Sequence, residues 1–127
     1  LRVVDFAVVD HAFDPKRVRL LGFSQGGYLA GWTGVRHAAH FSRLVVAAAR
    51  IKHEVLETDA RRAAELGQRV FAVHGTRDES VAAGVAGRSV DALRAWGLDA
   101  EFRAYDTGHA VLRDELCRAD VRAFLAG

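Results

Sequence analysis

The sequence predicts an α/β domain in which a parallel sheet is flanked by helices. Short apolar runs at 17–23, 44–49 and 69–75 alternate with segments of helical length. Glycines and turn residues bound those runs, and a fourth alternating run follows at 99–105. Strands separated by such distances form βα units on a parallel sheet.

Residues 1–13 fit two readings, because Leu1, Val4, Val8 and Ala12 recur at helical spacing while the VVDFAVV run favours a strand. Asp14-Pro15 breaks the chain. The run from Arg17 to Phe23 reads as a buried strand, and Gly26 to about His40 as a helix. That helix carries Gly27, Gly31 and Gly34, each costing about 1 kcal/mol relative to alanine, so close packing is expected to compensate. LVVAAA at 44–49 is a second buried strand. A polar loop and a helix near 59–66 follow, stopped by Gly67. RVFAVHG at 69–75 is the third strand, and Ser80 is the expected N-cap of a helix running to Trp96, with Val90, Leu93 and Trp96 as its buried stripe. DAEFRAY at 99–105 sets Ala100, Phe102 and Ala104 against Glu101, Arg103 and Tyr105, as an edge strand with one wetter face does. From about Val111 a final helix places Leu116, Cys117, Val121, Phe124 and Leu125 on one face.

The 127 residues, 50% hydrophobic and 27% charged, suit one globular domain, 1–127. A net charge of +2 gives no support to nucleic-acid or membrane-surface attraction. A single cysteine, Cys117, cannot form an internal disulfide. No run approaches the roughly 20 apolar residues of a membrane span, and a cytoplasmic protein is the expectation. The chain has no methionine and begins at Leu1, which reads as an N-terminally incomplete or processed chain.

The segment VRLLGFSQGGYLAG, 18–31, carries the chemistry. A strand entering G-x-S-x-G and leaving as a helix makes a turn so tight that Ser24 is strained, with Gly22 and Gly26 removing side chains that would clash. The hydroxyl stands exposed above the sheet, and the backbone N–H groups after it open a helix, where negative charge is stabilised. A serine hydroxyl needs a base to take its proton. Of six histidines, His37 and His40 fit a solvated helix face better than a metal site, which lacks a third ligand. His11 and His53 lie in undefined segments, and His74 ends a buried strand and shapes its turn. His109, in a loop after the fourth strand, projects from the same sheet edge as the serine turn. Asp78, in the loop after the third strand, is the preferred carboxylate to orient it, ahead of Asp106 and Glu79. The order Ser24, Asp78, His109 is that of α/β-hydrolases.

GFSQGG at 22–27, HGTRDESV at 74–81 and YDTGH at 105–109 together resemble the carboxylesterase and phospholipase-like serine hydrolases of the α/β-hydrolase superfamily, a group that includes acyl-protein thioesterases. The likeness runs from about Arg17 to the C-terminus, the C-terminal half of such a fold. It implies Ser24 as nucleophile, Asp78 as orienting acid, His109 as general base and the Gln25 backbone N–H as one oxyanion donor. Val81-Ala82 stands where the family often has valine-proline.

The expected function is hydrolysis of a small-molecule carboxylic ester or thioester through an acyl-enzyme, with no cofactor and no metal. SQGGY at 24–28 also resembles the serine loop of prolyl-oligopeptidase relatives, so a peptidase is one alternative. A non-catalytic binding module on the same scaffold is another. Superfamily members have further strands before the nucleophile strand, one of which leads to the second oxyanion N–H; no residue before Ser24 is assigned to it. Losing one such donor costs about 2.7 to 4 kcal/mol. Taken alone, the chain is therefore expected to be a weak catalyst, a homodimer paired through the exposed edge of the first strand, or part of a larger enzyme.

Overall fold

The computed structural model describes residues 17–127. The strand-or-helix alternatives at 1–13, the Asp14-Pro15 break and His11 lie outside the described residues. Four strands, β1 (Arg19–Phe23), β2 (Arg43–Ala47), β3 (Arg69–Gly75) and β4 (Asp99–Tyr105), form a parallel sheet in the order β1-β2-β3-β4. Each is followed by a helix: α1 (Gln25–Arg36), α2 (Glu57–Glu65), α3 (Ala83–Ala95) and α4 (Glu115–Ala126). This is the parallel sheet flanked by helices that the alternation of apolar runs predicts.

Period-two alternation divides the strand residues between two cores. On one face Leu44, Val46, Val70, Ala72 and Ala100 pack with Val35 of α1, Ala60 and Ala63 of α2, and Val90 and Leu93 of α3. On the other face Val45, Ala47, Phe71, Val73 and Tyr105 pack with Cys117 and Val121 of α4. β2 and β3 are thus covered on both sides, which is why their sequences are continuous apolar runs. The glycine-rich α1 lies close to β2: a Cβ at Gly27 would stand 2.8 Å from the Ala47 carbonyl, and one at Gly34 2.8 Å from a Leu44 methyl. The close packing expected to offset three helix glycines is therefore present.

Several boundaries differ from expectation. α1 ends at Arg36, and His37 leaves helical geometry with its N–H bonded to the Thr33 carbonyl. β2 ends at Ala47 because Ala48 adopts φ 56°. α3 starts after Ala82, with no side-chain cap, so Ser80 is not its N-cap. Leu116 is 73% exposed, because Cys117 and Val121, one turn apart, take the inward face of α4. Tyr105 lies on the side of β4 expected to be wetter, yet it is buried and donates its hydroxyl proton to Asp120 at 2.7 Å. Among the described residues β1 and β4 end the sheet, and Leu21 and Phe23 of β1 are exposed.

Candidate active site

Because the strands are parallel, the loops leaving β1, β3 and β4 all emerge at one edge of the sheet. Ser24 occupies the one-residue turn between β1 and α1 with φ 57° and ψ −120°. Such a backbone costs a non-glycine residue of the order of 1–3 kcal/mol and persists only where its surroundings hold it. Two contacts do so. The Ser24 N–H donates to the Ala47 carbonyl at the tip of β2, 2.8 Å away, and the Ser24 carbonyl accepts the Tyr28 N–H at 3.0 Å. The turn also needs Gly22, where a Cβ would collide with the Gly26 carbonyl and lie 2.6 Å from Ala30 Cβ. Gly26 is not sterically required, contrary to expectation, since a Cβ there meets nothing within 4 Å.

The second loop leaves β3 at Gly75 and the third leaves β4 at Tyr105, and the two are stitched together. Thr76 N–H donates to the Tyr105 carbonyl at 2.9 Å and Arg77 N–H to the Thr107 carbonyl at 3.0 Å. Arg77 also pairs with Asp106 at 3.1 Å, with both side chains exposed. Gly75 makes this approach possible, because a Cβ there would run into the carbonyls of Thr107 and Gly108.

At this edge Ser24, His109 and Asp78 form a continuous hydrogen-bonded chain. His109 Nδ1 lies 2.7 Å from Asp78 Oδ2, and His109 Nε2 lies 2.8 Å from Ser24 Oγ. A carboxylate can only accept, so Nδ1 carries the proton and Nε2 is left to accept from the serine hydroxyl. The Asp78 side chain is fully buried while that of His109 is 31% exposed, so the imidazole is open to solvent and the carboxylate is not. Burial pushes the Asp78 carboxyl up. Hydrogen bonds from the Val81 N–H, His109 and the Ser80 N–H outweigh it and hold the group below the ordinary carboxylate range.

Asp106 and Glu79, the other carboxylates weighed from sequence, are both exposed, Asp106 on Arg77. His37 and His40 lie past the end of α1, and His53 opens a short 3-10 turn beside Glu54. Among the described residues no three His, Cys, Asp or Glu side chains gather as a metal site would require. Gln25 is the first residue of α1, where N–H groups have no intrahelical acceptor. The residues that sequence reasoning missed are those holding Asp78. Its Oδ1 accepts the Ser80 N–H at 2.8 Å and the Val81 N–H at 2.9 Å. An aspartate bonding backbone two and three residues ahead is a turn signal that the DESV spacing offered. A cavity of about 270 Å³ is lined by Phe23 and Ala110, the chain neighbours of Ser24 and His109, together with Leu112 and Arg113, and the Phe23 ring stands 5.3 Å from that of His109.

Solved structures share this architecture. Esterase PE8 superposes with a TM-score of 0.80 at 22% identity, over 98% of this chain and 56% of its own. SOBER1 of Arabidopsis thaliana gives 0.79 at 19%, over 98% and 59%. Acyl-protein thioesterase 2 of Zea mays gives 0.67 at 21%, over 98% and 64%. The chain thus spans a little over half the length of these proteins and has the C-terminal portion of an α/β-hydrolase fold. No curated protein matches it. The model of the dienelactone hydrolase family matches residues 2–123, a family that the motifs alone did not single out within the superfamily, and the chain belongs to it.

Proposed function

We propose that the site hydrolyses carboxylic esters or thioesters through an acyl-enzyme. Ser24 Oγ attacks the substrate carbonyl while His109 Nε2 takes its proton. The tetrahedral intermediate collapses as His109 protonates the departing alcohol or thiol, leaving an ester on Ser24. Water, deprotonated by His109, then attacks that ester, releasing the acid and restoring the serine. Asp78 holds the imidazole in the tautomer this requires and stabilises the imidazolium. The Gln25 N–H, at the start of α1, supplies one donor to the oxyanion. The apolar wall of Phe23, Ala110 and Leu112 suits the non-reacting part of a small ester.

One observation carries this reading: the unbroken chain from Ser24 Oγ through both nitrogens of His109 to a buried carboxylate. Family membership and the esterase fold of the neighbours support it. The test is Ser24→Ala, followed with p-nitrophenyl acetate and a fluorophosphonate probe. Turnover and labelling are both expected to vanish while circular dichroism stays unchanged. Activity retained in Ser24→Ala would refute the assignment.

A further inference from the structure

His74, the penultimate residue of β3, is fully buried on the sheet face toward α3 and is not a member of the Ser24–His109–Asp78 chain. Its position asks for an apolar side chain: the neighbours on its face are Ala72 and, at 6.2 Å between rings, Phe102. A polar ring there is worth its desolvation only if its nitrogens are used. One is. His74 Nε2 lies 2.7 Å from the Val81 carbonyl, and the same nitrogen lies 3.3 Å from Asp78 Oδ2. A carbonyl has no proton to give, so the hydrogen is on Nε2. Nδ1 is buried with no hydrogen-bond partner among the described residues, and a proton there as well would be a buried donor with nothing to bond.

We propose that His74 is a positioning residue for the triad, donating to Val81 so that the 78–81 turn is clamped and the Asp78 carboxylate is aimed at His109. The geometry is a two-sided hold on one peptide. Val81 gives its N–H to Asp78 Oδ1 and receives the His74 proton at its carbonyl. Asp78 Oδ1 is thereby committed to backbone, with the Ser80 N–H as its second donor. Oδ2 is left to face the two imidazoles, at 2.7 Å from His109 and 3.3 Å from His74. Without the His74 proton the Val81 carbonyl loses this donor, and the turn is free to rotate Oδ2 away from His109. The inference rests on the ester-hydrolase reading above, because what His74 positions is that reading's orienting acid.

The test uses the full-length protein and three measurements. His74→Phe keeps a ring and removes the donor; His74→Gln places an amide N–H near the position of Nε2. With p-nitrophenyl acetate, His74→Phe is expected to lower kcat about ten- to hundredfold with KM within twofold, the scale set by small misplacements of a catalytic group. His74→Gln is expected to recover most of that loss. In ¹⁵N-histidine NMR of the wild type, the His74 proton is expected on Nε2. Full kcat in His74→Phe, equal losses in both variants, or a change confined to KM overturns the positioning role while leaving the hydrolase reading intact. A His74 proton on Nδ1 overturns it even if His74→Phe fails to fold. A wild type that neither turns over esters nor takes a fluorophosphonate on Ser24 overturns the hydrolase reading and the positioning role with it.

Discussion

Ser24 holds a backbone that glycine tolerates far better than serine. This separates two variants that both lack the hydroxyl: Ser24→Gly is expected to be more stable than Ser24→Ala by about 1 kcal/mol, the strain relieved less the added flexibility of the unfolded chain. Urea denaturation of the two side by side checks it, and equal midpoints would count against a strained turn. Asp78 makes a second residue-level prediction. Its carboxyl titrates lower in the folded protein than in the unfolded chain, where a value near 3.9 applies. The stability it confers is therefore complete above the unfolded value and is lost as pH falls through the folded one. Asp78→Asn is expected to flatten the acid limb of the stability profile. It is also expected to lower kcat about 10⁴-fold, the loss known for a serine-hydrolase triad when the aspartate becomes an asparagine and the histidine takes the wrong tautomer. The nearness of Ser24, Asp78 and His109 was legible in the sequence, since each follows a strand and parallel strands put those loops at one edge. The His74–Val81 contact was not, because no local spacing rule pairs a strand-end imidazole with a backbone carbonyl in the loop that follows.

Among the elements, β3 with its trailing loop matters most for the site. Gly75 lets the 105–109 segment lie against the end of β3, so that Thr76 and Arg77 can bond across to it. Gly75→Ala is expected to push Thr107 and Gly108 outward, carrying His109 off Ser24 and cutting kcat about 10²-fold, as misplacement on the ångström scale does. Steady-state kinetics with a thermal melt distinguishes this from global unfolding; unchanged kcat would show that the loop has room to spare. β3 and β4 were readable to the residue because one is a continuous apolar run bounded by glycine and the other alternates cleanly. Other features were set by tertiary partners. Tyr105 is buried because α4 brings Asp120 within 2.7 Å of its hydroxyl. Leu116 faces out because neighbouring positions on a helix lie about 100° apart, and Cys117 already takes the inward direction. Asp78 Oδ1 binds the Ser80 and Val81 N–H groups in the turn before α3, and the helix itself starts after Ala82 with no side-chain cap.

At the scale of the molecule, the sheet is sandwiched between α1, α2 and α3 on one face and α4 on the other, and both cores must separate for the chain to unfold. Cys117 reports on the second core. It is fully buried, and burial, with Asp114 and Asp120 nearby, pushes its thiol up to about 11. Alkylation at neutral pH is therefore expected to be slow in the native protein and to accelerate only across the denaturant transition; rapid labelling of the native state would place α4 off the sheet. No helix among the described residues is long and apolar enough to cross a membrane. The proposed conversion of one ordinary hydroxyl into a nucleophile at the sheet's edge has a direct chemical readout. The protein is exposed briefly to p-nitrophenyl acetate, quenched in acid, digested and sequenced by mass spectrometry. An acetyl group on Ser24 is expected; turnover with Ser24 unmodified and the acetyl on another side chain would refute a serine nucleophile.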